Sequence, residues 1–320
     1  MPVRGIGRLQ NYLHRRKLRK VNRSMILTYH RVCNLQNDWQ LLAVTPENFE
    51  LHLKVLLETF NVVSVKDLAE ACKKGKVPDK SIALTFDDGY FDTHDYVLPL
   101  LEKYSVPATV FVSSGFIDVQ SEFYWDFLEG FYSEGEIDSW DVTQKPVKQS
   151  HSDYLNACQK IYSQGIDQRK SLIKEIVKGR NTVRSTHRVM TKEEVCLCDK
   201  SALMDIEAHT INHPSLKSLK LSQQEEEIIH SSKDLEMILG REVKGFAYPY
   251  GSVNDFTQAT KGIVESAGFH YALANYPGPI WDESDLFALT RYVVRNWDED
   301  LFRQHLLSWY NCEGLFYQAV

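Results

Sequence analysis

From Met25 onward the chain alternates short apolar runs with longer stretches of helical period. Met25-Ile26-Leu27-Thr28-Tyr29-His30 reads as a first buried strand. Thr45-Pro46-Glu47 then opens a helix, because Thr is a good cap and Pro suits the first turn. Phe49, Leu53, Leu56 and Leu57 supply its apolar face. The spacing predicts further strands over 61–65, 82–86 and 107–112, with a helical segment around 96–101. Asp205-Ile206-Glu207-Ala208 reads as another strand. Ser222-Gln223-Gln224-Glu225 has the pattern of a capping box and opens a long helix. Its apolar face takes in Ile228, Ile229, Leu235, Ile238 and Leu239, and Gly240 suits a left-handed cap. Strands over 245–248, 271–274 and 292–294 complete the pattern.

Repeated strand-then-helix units imply an α/β fold with a parallel sheet, and 320 residues suit closure into a barrel. The expected organisation is a basic segment, 1–24, followed by one barrel, 25–320. Residues from about 118 to 190 break the alternation. They are polar and partly helical, with Phe123, Tyr124, Trp125, Phe127 and Phe131 among them. This insertion is either a lid over a cleft or a scaffold decoration.

The chemistry concentrates at two places. Thr85-Phe86-Asp87-Asp88-Gly89-Tyr90 puts two carboxylates at the C-terminal end of an apolar strand, where burial of charge is costly without a use for it. His209-Thr210-Ile211-Asn212-His213 places two imidazoles four residues apart, a spacing that puts both rings on one side of a helical turn. One aspartate with two histidines is a facial set for a divalent metal that leaves positions open, and the second aspartate is free to act as a base.

Composition narrows the class only slightly. With 43% apolar and 25% charged residues the chain has an ordinary globular balance, and a net charge of −6 weighs against nucleic acid as a partner. The N-terminus is basic (Arg4, Arg8, Arg15, Arg16, Lys17, Arg19, Lys20, Arg23) without an apolar run of signal-peptide length. No window approaches a membrane span. The expectation is a cytoplasmic protein. The basic stretch is either a solvated lead-in or a helix lying on anionic lipid at the inner face of the membrane, a peripheral contact. Six cysteines fit that compartment as free thiols, including the Cys196-Leu197-Cys198 pair.

Together with Phe246-Ala247-Tyr248-Pro249-Tyr250-Gly251, these two motifs occur in the order seen in the polysaccharide deacetylase family, the NodB-homology carbohydrate esterases, which this chain resembles from about Met25 to Trp297. The resemblance implies a distorted (β/α)7 barrel. It also implies a metal-dependent hydrolase that removes an N-acetyl group from an amino sugar in a glycan or its lipid- or nucleotide-linked precursor. Other readings on the same fold are an O-deacetylase, an amidohydrolase of small amides, and a catalytically idle sugar-binding module.

By the same resemblance Asp87 is the general base, and Asp88, His209 and His213 hold the metal. Zn²⁺ suits that donor set best, with Co²⁺ or Ni²⁺ as replacements. The backbone N–H of Tyr250 would stabilise the oxyanion. The chain departs from the family in two places. Ala247 stands where many members carry an arginine that orients the catalytic aspartate, and Arg291 is the candidate to replace it. The late motif that usually supplies the general acid is unclear. His30, at the end of the first strand, is preferred over His305, which looks exposed on a C-terminal helix.

Overall fold

The computed structural model describes residues 21–119, 121–133, 151–177 and 184–312. Most of the basic N-terminal segment and the 134–150 part of the insertion lie outside the described residues, so the lipid-facing helix expected there does too.

Seven strands build the frame: β1 (Met25–Tyr29), β2 (Ser81–Phe86), β3 (Ala108–Val112), β4 (Met204–Ala208), β5 (Gly245–Ala247), β6 (Tyr271–Leu273) and β7 (Tyr292–Val293). They run through one curled sheet in the order β7-β1-β2-β3-β4-β5-β6, with an eighth short strand, Asn61–Val62, pairing β2 off this path, and the ladders are parallel. Between β6 and β7 the ladder gives way to a parallel bridge, Leu273 to Leu289. There Ala274 N–H donates to Leu289 O, and Leu289 N–H to Ala272 O, both at 2.9 Å. The result is the distorted barrel that the family resemblance implied.

Strand residues alternate between two apolar layers, as period-2 geometry requires. Leu27, Leu84, Val110, Ile206, Phe246 and Ala272 face the surrounding helices. Ile26, Ala83, Phe111, Ala247 and Leu273 face inward. The helix Val65–Lys73 packs Val65, Leu68, Ala69 and Cys72 onto that inner cluster near the strand starts, so it stoppers the N-terminal end. The opposite end stays open for chemistry.

Local chemistry set some elements differently from the sequence expectation. Only Asn61–Val62 is strand. Ser64 accepts from Asp67 N–H at 3.1 Å and starts a helix, so Val65 is helical. Thr45 caps Pro46–Thr59 as expected, accepting from Asn48 N–H at 3.2 Å. Leu57 lies off its buried face, 45% exposed, one position beyond Leu56 and about 100° around the helix. The long helix runs Leu221–Leu239, so Ser222 sits inside its first turn. Gln223 Oε1 takes the Lys220 N–H at 3.2 Å instead. Gly240 does cap it, at φ 70°. The insertion holds helices Tyr124–Ser133, His151–Tyr162 and Ile166–Val177. Among the described residues no helix is long and apolar enough to cross a membrane.

Glu207 points into the barrel beside Phe111, its ladder partner. Its Oε2 accepts Lys244 N–H at 2.7 Å and Gly245 N–H at 2.6 Å. Burial pushes its carboxyl up to about 7 in spite of those donors. A folded-state value above the ordinary 4.5 favours folding most at low pH, and the contribution fades as pH climbs towards 7. Urea unfolding of the protein and of Glu207→Gln between pH 5 and 8 should show the native chain losing on the order of 3 kcal/mol relative to the variant. A difference that stays flat with pH would contradict this environment for Glu207.

Candidate active site

The site is assembled from the segments that follow β1, β2, β4 and β5. The register Tyr29–Phe86 sets the next residues, His30 and Asp87, side by side. Asp88 comes after, then the histidine segment behind Ala208 and the Pro249-Tyr250-Gly251 turn behind β5. Non-glycine residues with positive φ gather here: Asp88 at 73°, Thr210 at 63°, His213 at 50° and Tyr250 at 60°. Left-handed backbone is disfavoured for such residues and collects where function over-determines it.

The two aspartates, adjacent in sequence, enter different environments. Asp87 is gripped by Arg291, whose two terminal nitrogens donate to Oδ1 and Oδ2 at 2.7 Å each. Arg291 is 1% exposed and also donates through Nε to Ala274 O at 2.8 Å. Burial would raise the Asp87 carboxyl, but the guanidinium outweighs it and holds the group below the usual range. The register Leu27–Tyr292 puts Arg291 at the level of Ile26, so its long side chain climbs through the barrel to reach Asp87.

Asp88 turns instead towards the histidines. Its Oδ1 lies 3.1 Å from His213 Nε2 and 3.6 Å from His209 Nε2. That oxygen is buried and has no hydrogen-bond partner. His209 Nδ1 lies 2.7 Å from Ala247 O. A carbonyl only accepts, so the proton sits on Nδ1 and the Nε2 lone pair faces the carboxylate. An unpartnered carboxylate oxygen and two converging imidazole nitrogens fit a divalent cation. Asp88, His209 and His213 offer ligand atoms within 4.8 Å of one another. The two histidines do not share a helical turn, as their spacing suggested. They lie on a loop in which Thr210 and His213 are left-handed, and His213 N–H donates to Thr210 Oγ1 at 3.1 Å. The same four-residue spacing converges by a different backbone path.

His30 is partly accessible at this end of the barrel. Burial holds its pKa below the ordinary value, with Arg291 and Arg295 adding to that and the charges of Asp88 and Asp87 opposing it. His305 is half-buried on the helix Glu299–Tyr310, its ring stacked on Trp297 at 3.9 Å. Burial alone lowers its pKa, with no charged group of the site contributing. Among the described residues the Tyr250 N–H has no acceptor, which leaves it open to a ligand. Gly251 must follow it, since a Cβ there would stand 2.7 Å from Asn275 N.

Several residues that brace the site were not anticipated. Glu227, on the buried face of the long helix, accepts Ile211 N–H at 3.0 Å and Asn212 N–H at 2.8 Å, fixing the histidine loop. The available signal was polarity in the wrong place: Gln224, Glu227 and Ser231 share the inward face with Ile228 and Leu235. Asp92 takes Arg31 Nε at 3.0 Å and Val32 N–H at 2.9 Å, tying the first strand's exit to the aspartate loop. Tyr90 Oη donates to Asp126 at 2.5 Å and accepts Trp125 Nε1–H at 2.8 Å, bringing in the insertion. Burial pushes Asp126 up to about 7.

A parallel barrel with this paired-aspartate, paired-histidine centre at its C-terminal end defines a deacetylase of carbohydrates. The polysaccharide deacetylase family model matches residues 74–272, and the chain belongs to that family. It is 24% identical over 303 residues to a poly-β-1,6-N-acetyl-D-glucosamine N-deacetylase of Staphylococcus aureus, covering 91% of this chain and 84% of the relative. Its fold is similar to the deacetylase PplD of Streptococcus pyogenes in complex with acetate, with TM-score 0.61, 19% identity, and 90% and 98% of the two chains covered. IcaB from Ammonifex degensii superposes with TM-score 0.60 at 18% identity, covering 91% and 97%.

If Asp88, His209 and His213 form the metal centre, His209→Ala should lose bound divalent metal, read by equilibrium dialysis with elemental analysis, while the far-ultraviolet spectrum of the barrel persists. Full metal content in that variant would place the ion elsewhere.

Proposed function

We propose that the chain hydrolyses N-acetyl groups from amino sugars in a glycan, with Asp87 as general base and His30 as general acid. The observation that carries this reading is the division of labour between neighbouring carboxylates: Asp87 is ionised on Arg291, and Asp88 is turned to two imidazoles. A divalent ion held by Asp88, His209 and His213, Zn²⁺ by the donor set, would supply Lewis acidity to the acetyl carbonyl and the attacking water.

The chain's own groups do the rest. Arg291 keeps Asp87 deprotonated and fixes its orientation, so the carboxylate can take the proton of the attacking water. The free Tyr250 N–H, at the left-handed turn before Gly251, suits the oxyanion that develops on the carbonyl oxygen. His30, next to Asp87 by the register of the first two strands, is placed to pass a proton to the departing amine. The name of the staphylococcal relative makes N-acetylglucosamine in a β-1,6-linked polymer the first substrate to test. The basic residues of 1–24 would suit a glycan carried at an anionic membrane surface.

Mass-spectrometric loss of acetyl from N-acetylated and O-acetylated sugars, with and without chelator, tests the reading. Chelator-sensitive loss from the N-acetylated glucosamine oligomer is expected. Loss from the ester alone would reassign the reaction. Asp87→Asn should keep metal and lose roughly 10²–10⁴-fold in rate. Metal loss in that variant would mean the roles of the two aspartates are reversed.

The acid assignment has its own signature. The rate should rise with pH as Asp87 ionises and fall as His30 loses its proton. His30→Ala should flatten the falling limb and slow turnover without releasing metal, and His305→Ala should leave the profile intact. A crippled His305→Ala would move the acid to the C-terminal helix.

A further inference from the structure

The insertion reaches the centre of the site through one side chain. Arg169, on the helix Ile166–Val177, is only 6% exposed. One terminal nitrogen donates to His213 O at 3.1 Å, and the other to Tyr250 Oη at 3.1 Å. Its guanidinium lies 5.1 Å from the centre of the Tyr124 ring, and Tyr124 Oη is 3.1 Å from Tyr250 Oη. Among the described residues no carboxylate pairs with Arg169. A buried cation without an anion is costly, so such a residue persists for what it holds in place.

What it holds is otherwise under-determined. A ligating imidazole is normally oriented by a hydrogen bond from its other nitrogen. His209 has that bond, to Ala247 O at 2.7 Å. His213 does not: its Nδ1 is buried with no hydrogen-bond partner. Its ring is set by aromatic neighbours, Trp125 at 5.0 Å and Phe123 at 5.7 Å from the 118–190 segment, and Tyr250 at 4.8 Å. Both residues that Arg169 grips, His213 at φ 50° and Tyr250 at φ 60°, hold backbone conformations that relax readily unless pinned.

We infer that Arg169 is a positioning residue that locks the His213 loop to the Tyr250 turn, so that the insertion sets both metal affinity and the aim of the oxyanion donor. The insertion is then neither lid nor decoration but the missing outer support of one metal ligand. This rests on the reading of Asp88, His209 and His213 as the metal site.

The test reads metal directly, without substrate. Metal-free full-length protein is titrated with Co²⁺ by visible absorption and with Zn²⁺ against a chelating dye, and the melting of each metal-free form is recorded. Arg169→Ala should weaken metal binding about 10–100-fold, the usual effect of losing an outer support, and change the Co²⁺ spectrum. Arg169→Lys reaches one acceptor but cannot fork across two, and should recover only part of the affinity. Unchanged affinity and spectrum in Arg169→Ala, with or without a lower melting point, would overturn the inference and leave the proposed function standing. If Arg169→Ala does not fold, Arg169→Lys decides by the same readout: weakened binding supports the inference and native binding overturns it. A native protein that binds no metal, or binds it undiminished in His209→Ala, would sink both readings together.

Discussion

The side chain of Arg291 spans the part of the barrel where the parallel ladder is weakest, between β6 and β7, and ends in a bidentate pair with Asp87. Arg291 leaves from beside β7, bonds the end of β6 through Ala274 O, and ends on the carboxylate that follows β2. Both partners are buried, at 1% and 3% exposure. Breaking such a pair typically costs about 3–5 kcal/mol, because one charge is left behind in apolar surroundings. Bracing of the seam and ionisation of the proposed base therefore depend on the same side chain.

The second aspartate is separated from the first by backbone geometry rather than by distance along the chain. Asp88 is left-handed at φ 73°, which swings its carboxylate away from Arg291 and towards His209 and His213. Gly89 follows at φ 77°, where a Cβ would stand 2.7 Å from Val112 Cγ1. The glycine is thus required by the turn that divides the two carboxylates. One turn converts a like-charged pair into two independently stabilised groups.

The three loops of the centre are braced from outside the motifs that define it. Glu227 holds the backbone of the histidine loop from the long helix, Asp92 binds the exit of β1, and the Tyr90-Trp125-Asp126 contacts join the aspartate loop to the insertion. Each brace is a buried polar group that would be costly without its partner. Their mutual satisfaction makes the strained backbone of the centre tolerable.

Much of this was legible in the sequence. Short, near-continuous apolar runs alternating with helical stretches specify a parallel barrel, because strands buried on both faces need helices on their outer side. The Asp87-Asp88 pair and the two histidines announced themselves because charged and metal-ligating groups at strand ends are too costly to be incidental. Element ends moved where a short-range cap prevailed, as at Ser64, and where helix phase put Leu57 outside. The family resemblance pointed to Arg291 as partner of the aspartate, but tertiary structure alone showed the two-pronged grip across more than 200 residues of chain, the convergence of the histidines through a loop instead of a helical turn, and the contacts of Glu227 and Arg169 with the site. Pattern along a chain reports what a residue does to its neighbours within a turn or a strand. It carries no record of which distant polar group will be buried against it, and that pairing appears only when the barrel closes.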